Sequence, residues 1–111
     1  MADLKIVLHV DRADRWPAAI SNLKNLAWGY PQTKIRVVAD GASVCIFQGE
    51  NDLHRALAQA AEAGVESQLR ANFLREHAIA PESLPRYTRI VPAGVTALAE
   101  AQAEGFACVK P

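Results

Sequence analysis

The sequence predicts an α/β fold, a three-layer α/β/α sandwich around a five-stranded, mainly parallel sheet. Two observations carry the prediction. Short β-branched runs alternate with longer stretches whose apolar residues step at helical spacing, giving the order β-α-β-α-β-α-β-α-β. Strands joined by helical crossovers lie mostly parallel, with helices on the faces of the sheet. Composition agrees: 50% hydrophobic and 22% charged residues are what a globular chain needs to build a core. The 111 residues show no linker, internal repeat or low-complexity segment and are read as one domain, 1–111.

The first strand is Leu4–Val10, β-branched at its centre and short enough for a buried strand. A polar turn, Asp11 to Asp14, follows, and Asp14 is placed to cap a helix with Trp16 and Pro17 in its first turn. Trp16, Ile20, Leu23, Ala27 and Tyr30 step through that helix until Gly29 and Pro31 stop it. Residues 34–39 supply the second strand, and Asp40-Gly41 the turn after it. Residues 42–48 read as a strand by propensity or as a short helix after the turn. The clearest helix is 51–63, with Leu53, Ala56, Leu57 and Ala60 inward and Asp52, Arg55, Gln59 and Glu62 outward, and Gly64 at its stop.

Residues 65–69 form a third strand whose polarity predicts partial exposure or a subunit contact. Asn72 is placed to cap a short helix through His77, and residues 81–84 look like an isolated turn. Residues 88–91 are a fourth strand. Pro92-Ala93-Gly94 opens a helix to about Glu104, with Val95, Leu98, Ala99 and Gln102 on one side and Gly105 at its end. Residues 106–110 close the sheet.

Twelve basic residues balance twelve acidic ones, without a Lys/Arg block, so there is no broad electrostatic drive toward nucleic acid or an anionic membrane. No stretch approaches the roughly 20 apolar residues of a bilayer span, and Met1–Lys5 is not a secretory signal; a cytoplasmic location is expected. Cys45 and Cys108 match no CxxC spacing and are expected to be free thiols, with packing the expected role of Cys108. Neither a metal-ligand cluster nor a GxGxxG or Walker-type loop is present, so no metal or cofactor is expected.

Several passages, in order, resemble the DsrE-like (DsrE/DsrF/YchN) family of sulfur-relay-associated proteins. They are Lys5–Asp11, Asn22–Leu26, Arg36–Gly41, Ala63–Val65, Ile90–Val95, Leu98–Gly105 and the closing Lys110-Pro111. The resemblance implies a five-stranded parallel sheet, favours a helix over 42–48, and implies a homo-oligomer: a dimer, trimer or hexamer. Active sulfur-relay members carry a cysteine just after the third strand, often as Cys-Ala-Asn. This chain has Arg70-Ala71-Asn72 there, and no cysteine lies between residues 46 and 107. A persulfide carrier needs a thiolate, which arginine cannot supply, so that chemistry is not carried over to Arg70.

Ligands of parallel sheets approach the carboxyl ends of the strands. Arg70 is the first candidate there: its planar fork suits carboxylate, phosphate or sulfur oxyanions, with backbone N–H groups near Asn72 and Gly94 as further donors and Gly41 at the neighbouring turn. The competing reading is an arginine paired with a carboxylate of its own fold. His9 and Asp11 project to one side if the strand continues, and form either an acid/base pair or a turn-fixing contact. Cys45 is either a reactive thiol near this edge or, among Val44, Ile46 and Phe47, a packing residue. His54 and His77 are expected on solvated helix faces. The reading taken is a non-catalytic, oligomeric binding or interaction protein. The alternatives are a sulfur carrier using Cys45, and an enzyme using His9, Asp11 and Arg70.

Overall fold

The structure, a computed structural model, describes residues 4–29, 32–40, 43, 51–76, 78–80, 82, 84 and 86–111, apart from the side chains of residues 27, 28, 72 and 73. In chain order the elements are β1 (Lys5–Val10), α1 (Trp16–Gly29), β2 (Lys34–Ala39), α2 (Asp52–Glu62), β3 (Glu66–Arg70), α3 (Ala71–Glu76), β4 (Thr88–Val91), α4 (Gly94–Ala103) and β5 (Ala107–Val109). They form a five-stranded sheet of order β4-β3-β2-β1-β5, and every neighbouring pair is parallel. The α/β expectation holds. Residues 42–48 apart from Ser43, together with Tyr30, His77, Pro81 and Ser83, lie outside the described residues.

Alternation along the strands divides the core. Leu8, Val10, Val37 and Leu69 face α1, α2 and α3, where Trp16, Leu23, Leu57 and Leu74 meet them. Val7, Val38 and Val91 face the other way, against Ala97 and Ala101 of α4 and against Phe106. The chain thus steps outward from β1 to β4 with helices on one face, then returns to β5 with α4 on the opposite face. Crossovers of one hand require that change of face when the direction of travel reverses.

Local chemistry explains the boundaries. Asn51 caps α2 by accepting from the His54 N–H at 2.7 Å. Gly64, at φ +96°, makes the left-handed step that ends it. The buried Trp16 indole donates to the Ser43 carbonyl at 2.8 Å, so its N–H is satisfied inside the core. The Ser43 hydroxyl lies 2.7 Å from the Val10 carbonyl and 2.6 Å from that of Asp40, tying the carboxyl ends of β1 and β2 together.

The structure corrects several local expectations. Asp14 does not cap α1: it lies in a short 3₁₀ turn, Ala13–Arg15, and its carboxylate takes the Arg12 guanidinium at 2.7 Å. Residues 67–69 are buried, because β3 is an interior strand flanked by β2 and β4. The Gln68 amide is satisfied by donating to Glu66 at 3.2 Å. Asn72 is inside α3 instead of capping it, since the helix begins directly after β3 at Ala71. His54 is half-buried, its ring 5.9 Å from that of Tyr87. Cys108 is exposed, because β5 is a three-residue edge strand with all its residues open to solvent.

Candidate functional site

In an open parallel sheet ligands approach outside the carboxyl ends of the strands. β3 runs into α3 on one face, and β4 runs through Pro92-Ala93 into α4 on the other. Arg70 is the last residue of β3 and stands in register with Val91, the last of β4. The strongest sequence candidate is therefore at the carboxyl edge of the sheet.

Strand alternation sends Arg70 toward the α4 face, together with Asp40 at the end of β2. Arg70 Nη1 lies 3.6 Å from Asp40 Oδ1, with the side chains 38% and 25% exposed. The buried Nε of Arg70 has no hydrogen-bond partner. Asp40 also presses on the start of α4. A Cβ built on Gly94 would stand 2.9 Å from Asp40 Oδ2 and 3.2 Å from its Cγ, so glycine there makes room for the carboxylate. Asp40 thus lies against both the Arg70 guanidinium and the start of α4. The competing reading, an arginine held by its own fold's carboxylate, is present in the geometry. It leaves the buried Nε without a hydrogen-bond partner.

On the α3 side of the same edge lies an open groove of about 630 Å³, lined by Ala71, Leu74, Ile79, Ile90, Val91 and Pro92, with Arg75 at it. Its walls are apolar, so it offers body contacts but little polar recognition.

His9 lies in β1, and Asp11 follows its last residue, Val10, whose register partner Ala39 precedes Asp40. Asp11 Oδ2 accepts from the Lys110 ammonium at 3.0 Å, and this bond holds the carboxyl below the usual carboxylate range. His9 Nε2 is buried without a hydrogen-bond partner. The ionic partner of Asp11 is Lys110, which suits a clamp on the C-terminal segment more than a proton relay. Arg15 adds to that clamp by donating from Nε to the Pro111 carbonyl at 2.8 Å. Gly41 and Cys45 lie outside the described residues, as does the Asn72 side chain. Among the described residues no group of His, Cys, Asp and Glu could hold a metal ion.

Sequence reasoning missed Asp40 and Lys110 as partners. A signal existed for Asp40: an acid at the carboxyl end of the strand next to that of Arg70. None existed for Lys110, which depends on β5 lying beside β1.

The E. coli ychN protein superposes on the chain with a TM-score of 0.69, at 14% identity and over 100% of both chains. The fold is DsrE-like. Two further solved structures share it. The protein of unknown function MTH1491 from Methanobacterium thermoautotrophicum matches with a TM-score of 0.89 at 26% identity, over 98% of this chain and 100% of its own. The protein of unknown function BT1422 from Bacteroides thetaiotaomicron matches at 0.77 and 12% identity, over 96% and 94%. No family model and no curated protein matches the sequence. Among the described residues no helix is long and apolar enough to cross a membrane.

Proposed function

We propose that this DsrE-like chain is a non-catalytic binding protein of the cytoplasm that works as a homo-oligomer and docks a small oxyanion at Arg70, in the service of sulfur metabolism. One observation carries the reading: a permanently cationic fork stands at the carboxyl end of β3 with its Nε unpartnered, where the DsrE-like pattern keeps a nucleophilic thiol. A guanidinium binds sulfate, sulfite or thiosulfate by charge-assisted hydrogen bonds, but it cannot accept a sulfur atom. The link to sulfur metabolism and the oligomeric state rest on the family resemblance.

Thermal unfolding with sulfate, sulfite and thiosulfate, against chloride at equal ionic strength, tests the proposal. A bound anion at ten times its Kd adds about 1.4 kcal/mol, a shift of several degrees. Arg70→Ala abolishes that shift. Equal stabilisation of wild type and variant by all four salts would remove the anion from the account. The carrier alternative has a separate readout: under a persulfide donor, this reading expects no mass gain of one sulfur atom on Cys45.

A further inference from the structure

We propose that the Asp40 carboxylate makes the Arg70 site selective for oxyanions that carry an O–H group, hydrogensulfite or hydrogenphosphate, over sulfate and thiosulfate, which carry none at neutral pH. This rests on Arg70 docking an anion, as proposed above, and adds the class of anion and the residue that selects it.

Arg70 Nη1 has the Asp40 carboxylate 3.6 Å away, so the pair presents one positive and one negative charge. The Lys110–Asp11 pair beyond the end of β1 is neutral as well. A site for a bare dianion is built from donors, because every oxygen of such an anion is an acceptor. Here the anion meets further acceptor oxygens beside the guanidinium, and like charges set side by side repel. An O–H on the anion turns that neighbour into a partner. One oxygen of the anion accepts from the Arg70 fork, and its hydroxyl donates to Asp40 in a charge-assisted hydrogen bond.

Spacing and exposure allow both contacts at once. The 3.6 Å between Nη1 and Oδ1 is longer than a hydrogen bond, so these two atoms attract without closing on each other. The Arg70 side chain keeps 38% of its surface open and that of Asp40 25%, so a small anion arriving from solvent reaches both groups.

Asp40 is also held where it stands. The Ser43 hydroxyl lies 2.6 Å from its carbonyl oxygen and fixes the backbone. Its carboxylate packs over the first residue of α4, close enough that a Cβ on Gly94 would stand 2.9 Å from Oδ2. That helix has no acid in its first turn, and Ala93 at its N-cap makes no side-chain cap. A carboxylate supplied from the end of β2 is favourable there, against the positive end of the helix dipole. An incoming anion thus finds a fixed negative charge that it must either donate to or be repelled by. Specificity of this kind comes from penalising the wrong ligand as much as from binding the right one.

Isothermal titration calorimetry of the full chain, at neutral pH and constant ionic strength, tests the proposal with five probes. Phosphate and sulfite supply an O–H, sulfite through its hydrogensulfite fraction. Sulfate and thiosulfate do not. Methanesulfonate has a single charge and no O–H, and so separates the hydroxyl from the charge. Phosphate and sulfite bind about tenfold or more tighter than the other three, the worth of one charge-assisted hydrogen bond. The tighter of the two identifies the source of the anion. Arg70→Ala abolishes binding of all five. Asp40→Asn keeps the side-chain shape, raises affinity for sulfate and thiosulfate, and narrows the preference to about threefold or less. Circular dichroism verifies that both variants fold, and the ranking in the wild type decides the matter without them. A wild type that binds through Arg70 but takes sulfate or methanesulfonate as tightly as phosphate and sulfite overturns the role of Asp40 and leaves the docking of an anion standing. A wild type that binds none of the five overturns both.

Discussion

Gly94→Ala probes the junction on which the candidate site is built. The added Cβ would meet Asp40 Oδ2 at 2.9 Å and Cγ at 3.2 Å, while Asp40 Cβ, at 3.6 Å, is an ordinary contact. Only the carboxylate must move, and it is held by Arg70 at 3.6 Å and on a backbone fixed by Ser43. Overpacking of this kind costs about 1–3 kcal/mol. Alanine gains at most about 1 kcal/mol over glycine inside a helix, and less at its first residue. The expected net loss is about 1–2 kcal/mol, a fall in Tm of roughly 5–10 °C for a domain near this size. The assay is a double-mutant cycle by thermal and urea unfolding with Asp40→Ala, which removes both offending atoms and keeps Cβ. In the Asp40→Ala background, Gly94→Ala is neutral or stabilising, so the coupling is about 1–2 kcal/mol. Equal effects of Gly94→Ala in both backgrounds would refute the contact, and with it the claim that Asp40 occupies the helix end.

Further expectations follow from the same geometry. Asp40→Asn removes the internal competitor for the Arg70 fork, so oxyanion affinity rises severalfold by calorimetry, and Arg70→Ala cancels the gain. Leu57 is the one buried residue of α2 and is 1% exposed, so Leu57→Ala lowers unfolding free energy by about 2–5 kcal/mol in urea titrations. Burial pushes the Tyr87 phenol from 10.0 up to about 12, so the folded state favours its neutral form. Its contribution is intact below pH 10, and is lost as pH rises through 10 toward 12. Urea unfolding at about pH 8 and about pH 11 therefore shows a smaller alkaline loss in Tyr87→Phe than in wild type.

The fold was legible because periodicity decides element type, and β1, β2 and β4 follow the β-branched runs closely. The glycine stops read correctly too, since the left-handed step at Gly64 and Gly105 is a local requirement. What the sequence hid depends on tertiary position. Glu66-Ser67-Gln68 looks like a surface strand and lies in the interior of the sheet, where β2 and β4 supply the cover. Cys108 reads as core and is exposed, because a strand's burial depends on its place in the sheet, and order along the chain does not fix the β4-β3-β2-β1-β5 arrangement. Asp14 has the chemistry of a cap but spends it on Arg12. At the candidate site, the position of Arg70 at a strand's carboxyl end was readable. Its pairing with Asp40 required knowing that β2 and β3 are neighbours.

The central claim is that the Arg70 fork docks an anion. The most direct test follows the Nε–H resonances of ¹⁵N-labelled arginine side chains by NMR during a thiosulfate titration. A saturable shift of the Arg70 signal, larger than that of any other arginine and enhanced in Asp40→Asn, is the predicted result. An Arg70 signal that moves no more than the exposed Arg12 and Arg55 signals would contradict the account.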